Sequence, residues 1–326
     1  MLFEIEEHRF ANAIIAADDE LRQRYNEFIS AIEGITDTEI IEDFLRRQED
    51  HAERNTDFKS ITPSINHLLK KRMEKIDGWE SEVDIFNDTE GIIENTEWRL
   101  DFACEGGFAI EVAFNHGEAI AWNLLKPVLA SEQNHVEKAL QTRMAIYVCA
   151  MEEMKRAGNI DSASGSFEKV KRYLKPMMNQ LVTPMVLIGL KAPETFFVDD
   201  AFRKIFYRFN ILEEKAEELN WSELRLLRDE ELIGKIIKLD NCKQVGVETK
   251  QDINKKTRYI VQIKSTTETL EYLTTYFTYA NKNRIKRETQ PFSVLGVIDE
   301  VINHEDKREI VMKNVYGILS DGFITL

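Results

Sequence analysis

The stretch RLDFACEGGFAIEVAF, residues 99–114, holds two carboxylates, Asp101 and Glu111, each inside an apolar-rich run, with Gly106 and Gly107 between the runs. Glu105, Gly106 and Gly107 suit a three-residue hairpin loop, because glycine supplies the positive φ that such a loop demands. If Cys104 pairs with Phe108, the register carries on to place Asp101 directly across from Glu111. The faces agree with this: Leu100, Phe102 and Cys104 share one side with Phe108, Ile110, Val112 and Phe114, and the two acids project from the other. Carboxylates opposed on neighbouring strands lie about 5 Å apart at Cβ and repel. A hard divalent cation, Mg2+ being the commonest, can take oxygen ligands from both and supply the Lewis acid and activated water that phosphodiester hydrolysis needs. The competing reading is a solvated strand face on which two acids meet, since acidic chains scatter such pairs freely.

Other elements must position this hairpin. DDELRQRYNEFISAIEG (18–34) and TDTEIIEDFLRRQED (36–50) have the periodicity and caps of helices, so the first sixty residues read as helical. Thr62-Pro63 opens a further helix in which Ile65, Leu68, Leu69, Met73 and Ile76 share one face, ended by Asp77-Gly78. After the hairpin, GEAIAWNLLK (117–126) is a helical pattern that Pro127 should stop or kink. MAIYVCA (144–150) and PMVLIGL (184–190) are continuous apolar runs of the kind that form strands buried on both faces. SFEKVKRYLKPMM between them has the size of a crossover helix. This order predicts an α/β fold: a mixed central β-sheet flanked by helices. A boundary is expected at KAPETFF (191–197), followed by amphipathic helices and one alternating strand, RYIVQIKS.

The sequence resembles the PD-(D/E)xK nuclease superfamily in the order of a helix ending in GWESEV (78–83), which puts Glu80 and Glu82 at the helix end, then hydrophobic-Asp at 100–101, a hairpin into AIEVAFN (109–115), then helix, strand, helix, strand. Within it, IEVAFNHGEAIAWNLLKP looks like the stretch that follows the catalytic hairpin in type II restriction endonucleases similar to BglII, BstYI and BamHI. The resemblance covers about residues 60–192. It implies that Asp101 and Glu111 are metal ligands, with Glu80 or Glu82 as an extra ligand. One position departs from the pattern: where the superfamily has Lys, and this branch Gln or Glu, the chain has Ala113, which can neither polarise a water nor hold a metal. Another group must then manage the attacking water. Glu118 and Lys126 on the next helix are within range by sequence, as are Asn115 and His116 just past the strand. A snorkelling surface role for Lys126 and an ordinary strand-end role for His116 are the alternatives.

The chain of 326 residues is 43% apolar and 31% charged, an ordinary globular composition. It has no apolar run of membrane-spanning length and no basic-then-apolar leader in its first thirty residues, so the cytoplasm is the expected compartment. Cys104, Cys149 and Cys242 lie in or beside apolar stretches without CxxC spacing and read as buried thiols. The net charge of −15 divides into −16 for residues 1–200 and +1 for 201–326, and residues 241–290 alone carry +5. A phosphate-binding surface is therefore local, and the bulk acidity does not exclude one. In TLEYLTTYFTYANKNRIKRE (269–288), Leu270, Leu273, Tyr276, Phe277 and Ala280 fall at helical spacing. The basic end, with Arg284, Lys286 and Arg287, is a candidate for DNA contact. QDINKKTR (251–258) reads as a polar loop.

These observations predict a restriction endonuclease-like core at 61–195, a helical N-terminal segment at 1–60 packed on it, and an α+β C-terminal extension at 196–326 that contacts DNA or forms a dimer surface. The function expected from the resemblance is Mg2+-dependent cleavage of double-stranded DNA at a palindromic site by a homodimer. GATC at the centre of that site is carried over only from this branch. The alternatives are a catalytically inactive DNA-binding member of the same fold, motivated by Ala113, and an α/β protein unconnected with nucleic acid.

Overall fold

The apolar runs between residues 80 and 190 become the strands of one sheet. The computed structural model describes residues 1–53, 58–87, 98–132, 137–199, 203–251, 257–265, 271–277, 291–305, 308–320 and 322–325. The chain divides into two compact units, Met1–Val198 and Asp199–Leu326.

The first unit holds β1 (Phe3–His8), β2 (Glu80–Asp84), β3 (Arg99–Ala103), β4 (Phe108–Ala113), β5 (Met144–Ala150) and β6 (Met185–Leu190), in the spatial order β1-β6-β5-β4-β3-β2. The pairs β4–β5 and β5–β6 are parallel and the outer pairs antiparallel, so the sheet is mixed. Every residue of β4, β5 and β6 is buried, as expected of parallel strands covered on both faces. One cover is α2 (Asp19–Glu33), whose Tyr25 and Phe28 rings lie 6.3 Å from Phe108 and 6.4 Å from Phe102. The other is α5 (Ile120–Ser131) with α7 (Phe167–Leu174), which pack Ile120, Leu124, Phe167 and Val170 against Ala113, Tyr147 and Leu187.

Helices α1 (Ala11–Ala17), α3 (Asp37–Glu53), α4 (Thr62–Met73) and α6 (Glu152–Ala157) complete this unit. The N-terminal segment is helical from Ala11 onward, but Phe3–His8 adds an antiparallel edge strand to the sheet. α3 starts from a capping box in which Thr36 Oγ1 accepts from the Glu39 N–H, while Glu39 Oε2 accepts from the Thr36 N–H. Two expectations are corrected. Glu80–Asp84 is a strand and not a helix end, and α5 runs through Pro127 instead of stopping there. Burial of Pro127, Val128 and Ala130 holds the last turn, and Ser131 Oγ donates to the Pro127 carbonyl. No helix among the described residues is long and apolar enough to cross a membrane.

The first unit closes with the short strand β7 (Phe196–Val198), and the second opens with β8 (Ile205–Tyr207). The long amphipathic helices expected beyond residue 197 are replaced by the short α8 (Phe209–Lys215), α9 (Trp221–Leu226) and α10 (Asp229–Leu232) and by strands β9 (Glu217–Leu219) to β15 (Gly322–Thr325). β10 (Ile236–Gln251), β11 (Thr257–Ser265) and β12 (Glu271–Phe277) form an antiparallel meander. β12 then pairs parallel with β14 (Arg308–Leu319), β14 antiparallel with β13 (Phe292–Asn303), and β13 antiparallel with β10, which closes a five-stranded barrel. β10 reaches both neighbours by bending at register breaks near Asn241, which has φ +56, and between Gln244 and Gly246. The interior is filled by Ile237, Leu239, Ile263, Val294, Ile298 and Ile310, with Trp221 and Leu232 packed on them.

Candidate active site

The β3–β4 hairpin has the loop its glycines suggest. The Cys104 N–H donates to the Phe108 carbonyl at 3.0 Å, the Gly107 N–H donates to the Cys104 carbonyl at 3.1 Å, and Gly106 has φ +67. Phe102 pairs with Ile110 and Ala103 with Ala109, and one step further the same register would oppose Asp101 to Glu111. There the ladder gives way to a side-chain contact, because Asp101 Oδ2 accepts the Val112 N–H at 2.6 Å.

The acids' side of β4 is covered by α5 and is not a solvated face. Glu111 is only 5% exposed. Its Oε1 accepts from Lys126 Nζ at 2.8 Å, and Lys126 is itself largely buried. Its Oε2 is buried with no hydrogen-bond partner. Burial, then the nearby Asp101 charge, push the Glu111 carboxyl up to about 7 against the pull of Lys126. Asp101 is raised as well, chiefly by burial, with the Val112 N–H opposing.

The remaining expected residues fall around this group. Ala113 is buried in the apolar cluster under α5, so the position where a third polar group was anticipated is part of the core. Lys126 approaches Glu111 from the helix. Glu118 is exposed in the 3-10 turn Gly117–Ala119 and is not joined to the acids. His116 is exposed and forms an isolated bridge with Ser164. Asn115 Oδ1 accepts from Asn123 Nδ2 at 2.9 Å. Glu80 is exposed at the start of β2. Glu82 sits at the position of β2 that faces Asp101, but in a left-handed conformation with φ +54. It ion-pairs with Lys70, which holds its carboxyl below the usual range. Among the described residues no group of three or more His, Cys, Asp or Glu is placed to hold a metal ion. Arg284, Lys286 and Arg287 lie outside the described residues.

Two site neighbours were not among the residues expected from the sequence. Tyr147, inside the apolar run of β5, is the register partner of Glu111 on the adjacent parallel strand. Burial raises its hydroxyl well above the usual range, and the Asn123 side chain hydrogen-bonds it. Asn123 is 2% exposed on α5, one turn before Lys126. A polar residue inside a helix that otherwise reads IAW-LL is the one hint the sequence offered. The site thus combines two desolvated carboxylates, one ammonium and one unsatisfied carboxylate oxygen. That set can bind a hard cation and place a positive charge beside it.

The family model of the restriction endonucleases BglII/BglIII matches residues 3–190 of the chain. Among solved structures the chain is similar to restriction endonuclease BglII complexed with a DNA 16-mer, with 13% identity, 86% of this chain and 100% of that chain covered, and a TM-score of 0.43. It is similar to free BglII with 12% identity, the same coverage and a TM-score of 0.37. No match was found among the curated proteins.

Proposed function

Because the chain belongs to the BglII/BglIII restriction endonuclease family, whose model spans more than half of its length, we propose that it cuts double-stranded DNA at a specific palindromic site with the help of Mg2+. The observation that carries this reading is Glu111: a buried carboxylate beside Asp101, with one oxygen on Lys126 and the other without a hydrogen-bond partner. Two neighbouring buried carboxylates share the single ammonium of Lys126, and a divalent cation held by both would offset the remaining negative charge and engage the unpartnered Oε2.

The residues present fit such an ion. Asp101 and Glu111 would hold it, each keeping one carboxylate oxygen clear of protein donors: Val112 occupies only Oδ2 of the first, and Lys126 only Oε1 of the second. Bound there, Mg2+ supplies Lewis acidity toward the phosphate and an acidified water. Lys126 does what Ala113 cannot. Its ammonium favours the ionised form of Glu111 against the effect of burial and offers further N–H donors to a phosphate oxygen or to the incoming water. Tyr147 and the apolar side chains of α5 exclude bulk solvent from the Glu111 side of the site, which strengthens these interactions.

Two cuts on a two-fold symmetric duplex need two such sites, so the working form is a homodimer on a palindrome, with GATC-containing sites the first to test. Incubation of unmethylated plasmid with the protein and Mg2+, alongside Asp101→Ala, tests the proposal. Discrete fragments from the wild type and none from the variant are expected. Intact DNA across a range of metals and salts, with salt-sensitive duplex binding preserved, would instead favour the reading that Ala113 motivates, a family member that binds without cutting.

A further inference from the structure

Helix α5 turns Ile120, Asn123, Leu124, Pro127, Val128 and Ala130 into the core. Trp122 lies off that stripe, is 37% exposed, and precedes Lys126 by one turn. At this spacing two side chains share a flank of the helix, with Cβ atoms about 5–6 Å apart. Lys126 reaches Glu111 from the same flank, so Trp122 stands at the rim of the site.

The indole is braced without being buried. Trp98, the residue before β3, meets it in a T-shaped contact with centroids 4.7 Å apart. Trp98 is fixed in turn: its carbonyl accepts the Ile85 N–H at 2.8 Å, and its ring meets Phe86 at 5.4 Å. Phe86 bridges to Lys138, whose ammonium lies 4.5 Å from the centre of the phenyl ring. Phe86, Trp98 and Trp122 therefore form a row with an ammonium at each end, Lys138 beyond Phe86 and Lys126 one turn past Trp122. A single exposed apolar side chain on a surface needs no explanation. A fixed aromatic row that ends beside two desolvated carboxylates does, because packing on Trp98 accounts only for the covered part of the indole.

A duplex whose phosphate sits at Asp101 and Glu111 must carry its strand past this rim. Along that strand phosphates alternate with deoxyriboses, and the row alternates in the same sense, cations for the former and ring surface for the C–H edges of the latter. Nucleobases are the poorer match, since reaching them requires unstacking the duplex. We propose that Trp122 is a DNA-contacting residue, its exposed indole packed on the deoxyribose next to the phosphate at Asp101 and Glu111 and Trp98 serving as its brace. The inference rests on the reading of the hairpin as a DNA site, though not on cleavage there. A side chain held in place before binding gives up little freedom when it makes the contact, which suits an aromatic anchor.

Tryptophan emission reads this contact directly. Of the four tryptophans, Trp79 and Trp221 are buried and Trp98 is half-buried, so quenching by acrylamide reports chiefly on Trp122. A sugar contact carries no sequence information, so sheared double-stranded DNA of mixed sequence serves as the probe, with the full chain in EDTA to prevent Mg2+-dependent cutting. DNA should lower acrylamide quenching of the wild type at least twofold and leave that of Trp122→Phe nearly unchanged. Trp122→Ala should weaken duplex binding roughly tenfold, as loss of one aromatic anchor does, and Trp122→Phe a few-fold. An apolar contact releases no counterions, so both variants should keep the slope of log affinity against log salt. Undiminished quenching of the wild type when DNA is bound, full affinity in Trp122→Ala, or a changed salt slope in the well-folded Trp122→Phe would each overturn the proposal. Plasmid cleavage is scored separately: fragments from a protein whose Trp122 stays unprotected sink this inference alone, whereas protection of Trp122 without fragments supports it and counts against cleavage alone.

Discussion

A carboxyl that is 5% exposed and pushed up to about 7 destabilises the folded chain wherever it must ionise. The unfolded chain releases this proton near 4.5, as an ordinary glutamate does, and the folded chain near 7. Stability therefore falls as pH rises between those values, and the full penalty persists above them. Glu111→Gln in EDTA should be more stable than wild type at pH 8.5, by up to about 3 kcal/mol, and the gain should shrink toward pH 4.5. Urea midpoints across that range check this, and a gain independent of pH would refute it. Lys126→Met keeps the length of the side chain and removes the charge. It should slow single-turnover cleavage roughly 100-fold or more while duplex affinity changes only a few-fold. The alternation of RLDFA and FAIEVA was enough to bring Asp101 and Glu111 together on paper. The contact of Lys126 with Glu111 was not legible, because it depends on how α5 lies against β4, and the residues of the helix do not encode that angle locally.

At the level of elements, the hairpin is specified by its loop. Gly106 sits at φ +67 with open space around the position of a Cβ, so Gly106→Ala meets no clash and isolates the backbone penalty. It should cost about 1 kcal/mol and lower the unfolding midpoint, leaving the register of β3 and β4 intact by amide exchange. Short-range signals were legible in the same way: the Thr36 box, the apolar face of α4 and the continuous runs of β5 and β6. The misread elements share another cause. LEYLTTYF fits a helix through Leu270, Leu273, Tyr276 and Phe277, yet Leu273, Thr275 and Phe277 also alternate, and its threonines and aromatics favour the strand that forms over Glu271–Phe277. Glu80–Asp84 likewise becomes a strand because β3 offers an edge, a tertiary fact that ESEVD does not display.

Across the whole molecule the three cysteines are buried and free, as their apolar surroundings suggested. Burial pushes Cys104 up to about 11 and raises Cys149 and Cys242 further, so none is a thiolate at neutral pH. A disulfide thiol reagent should titrate essentially no thiols in the native chain at pH 8 and all three in guanidinium; one rapid native equivalent would show that a described wall opens. The two-part division of the charge was readable in the sequence, whereas closure of the barrel was not, since it rests on pairings such as β12 with β14 that link distant segments. One feature of the first unit has a mechanical side. A lysine at position 113 would be anchored to the same strand as Glu111 and could leave it only by changing rotamer. Lys126 rides on α5 and also moves whenever that helix slides or tilts on the sheet, and packed helices shift by an ångström or two between states. The charge and the acids are therefore mounted on separate parts, and whatever grips α5 can engage or release the site without touching either carboxylate.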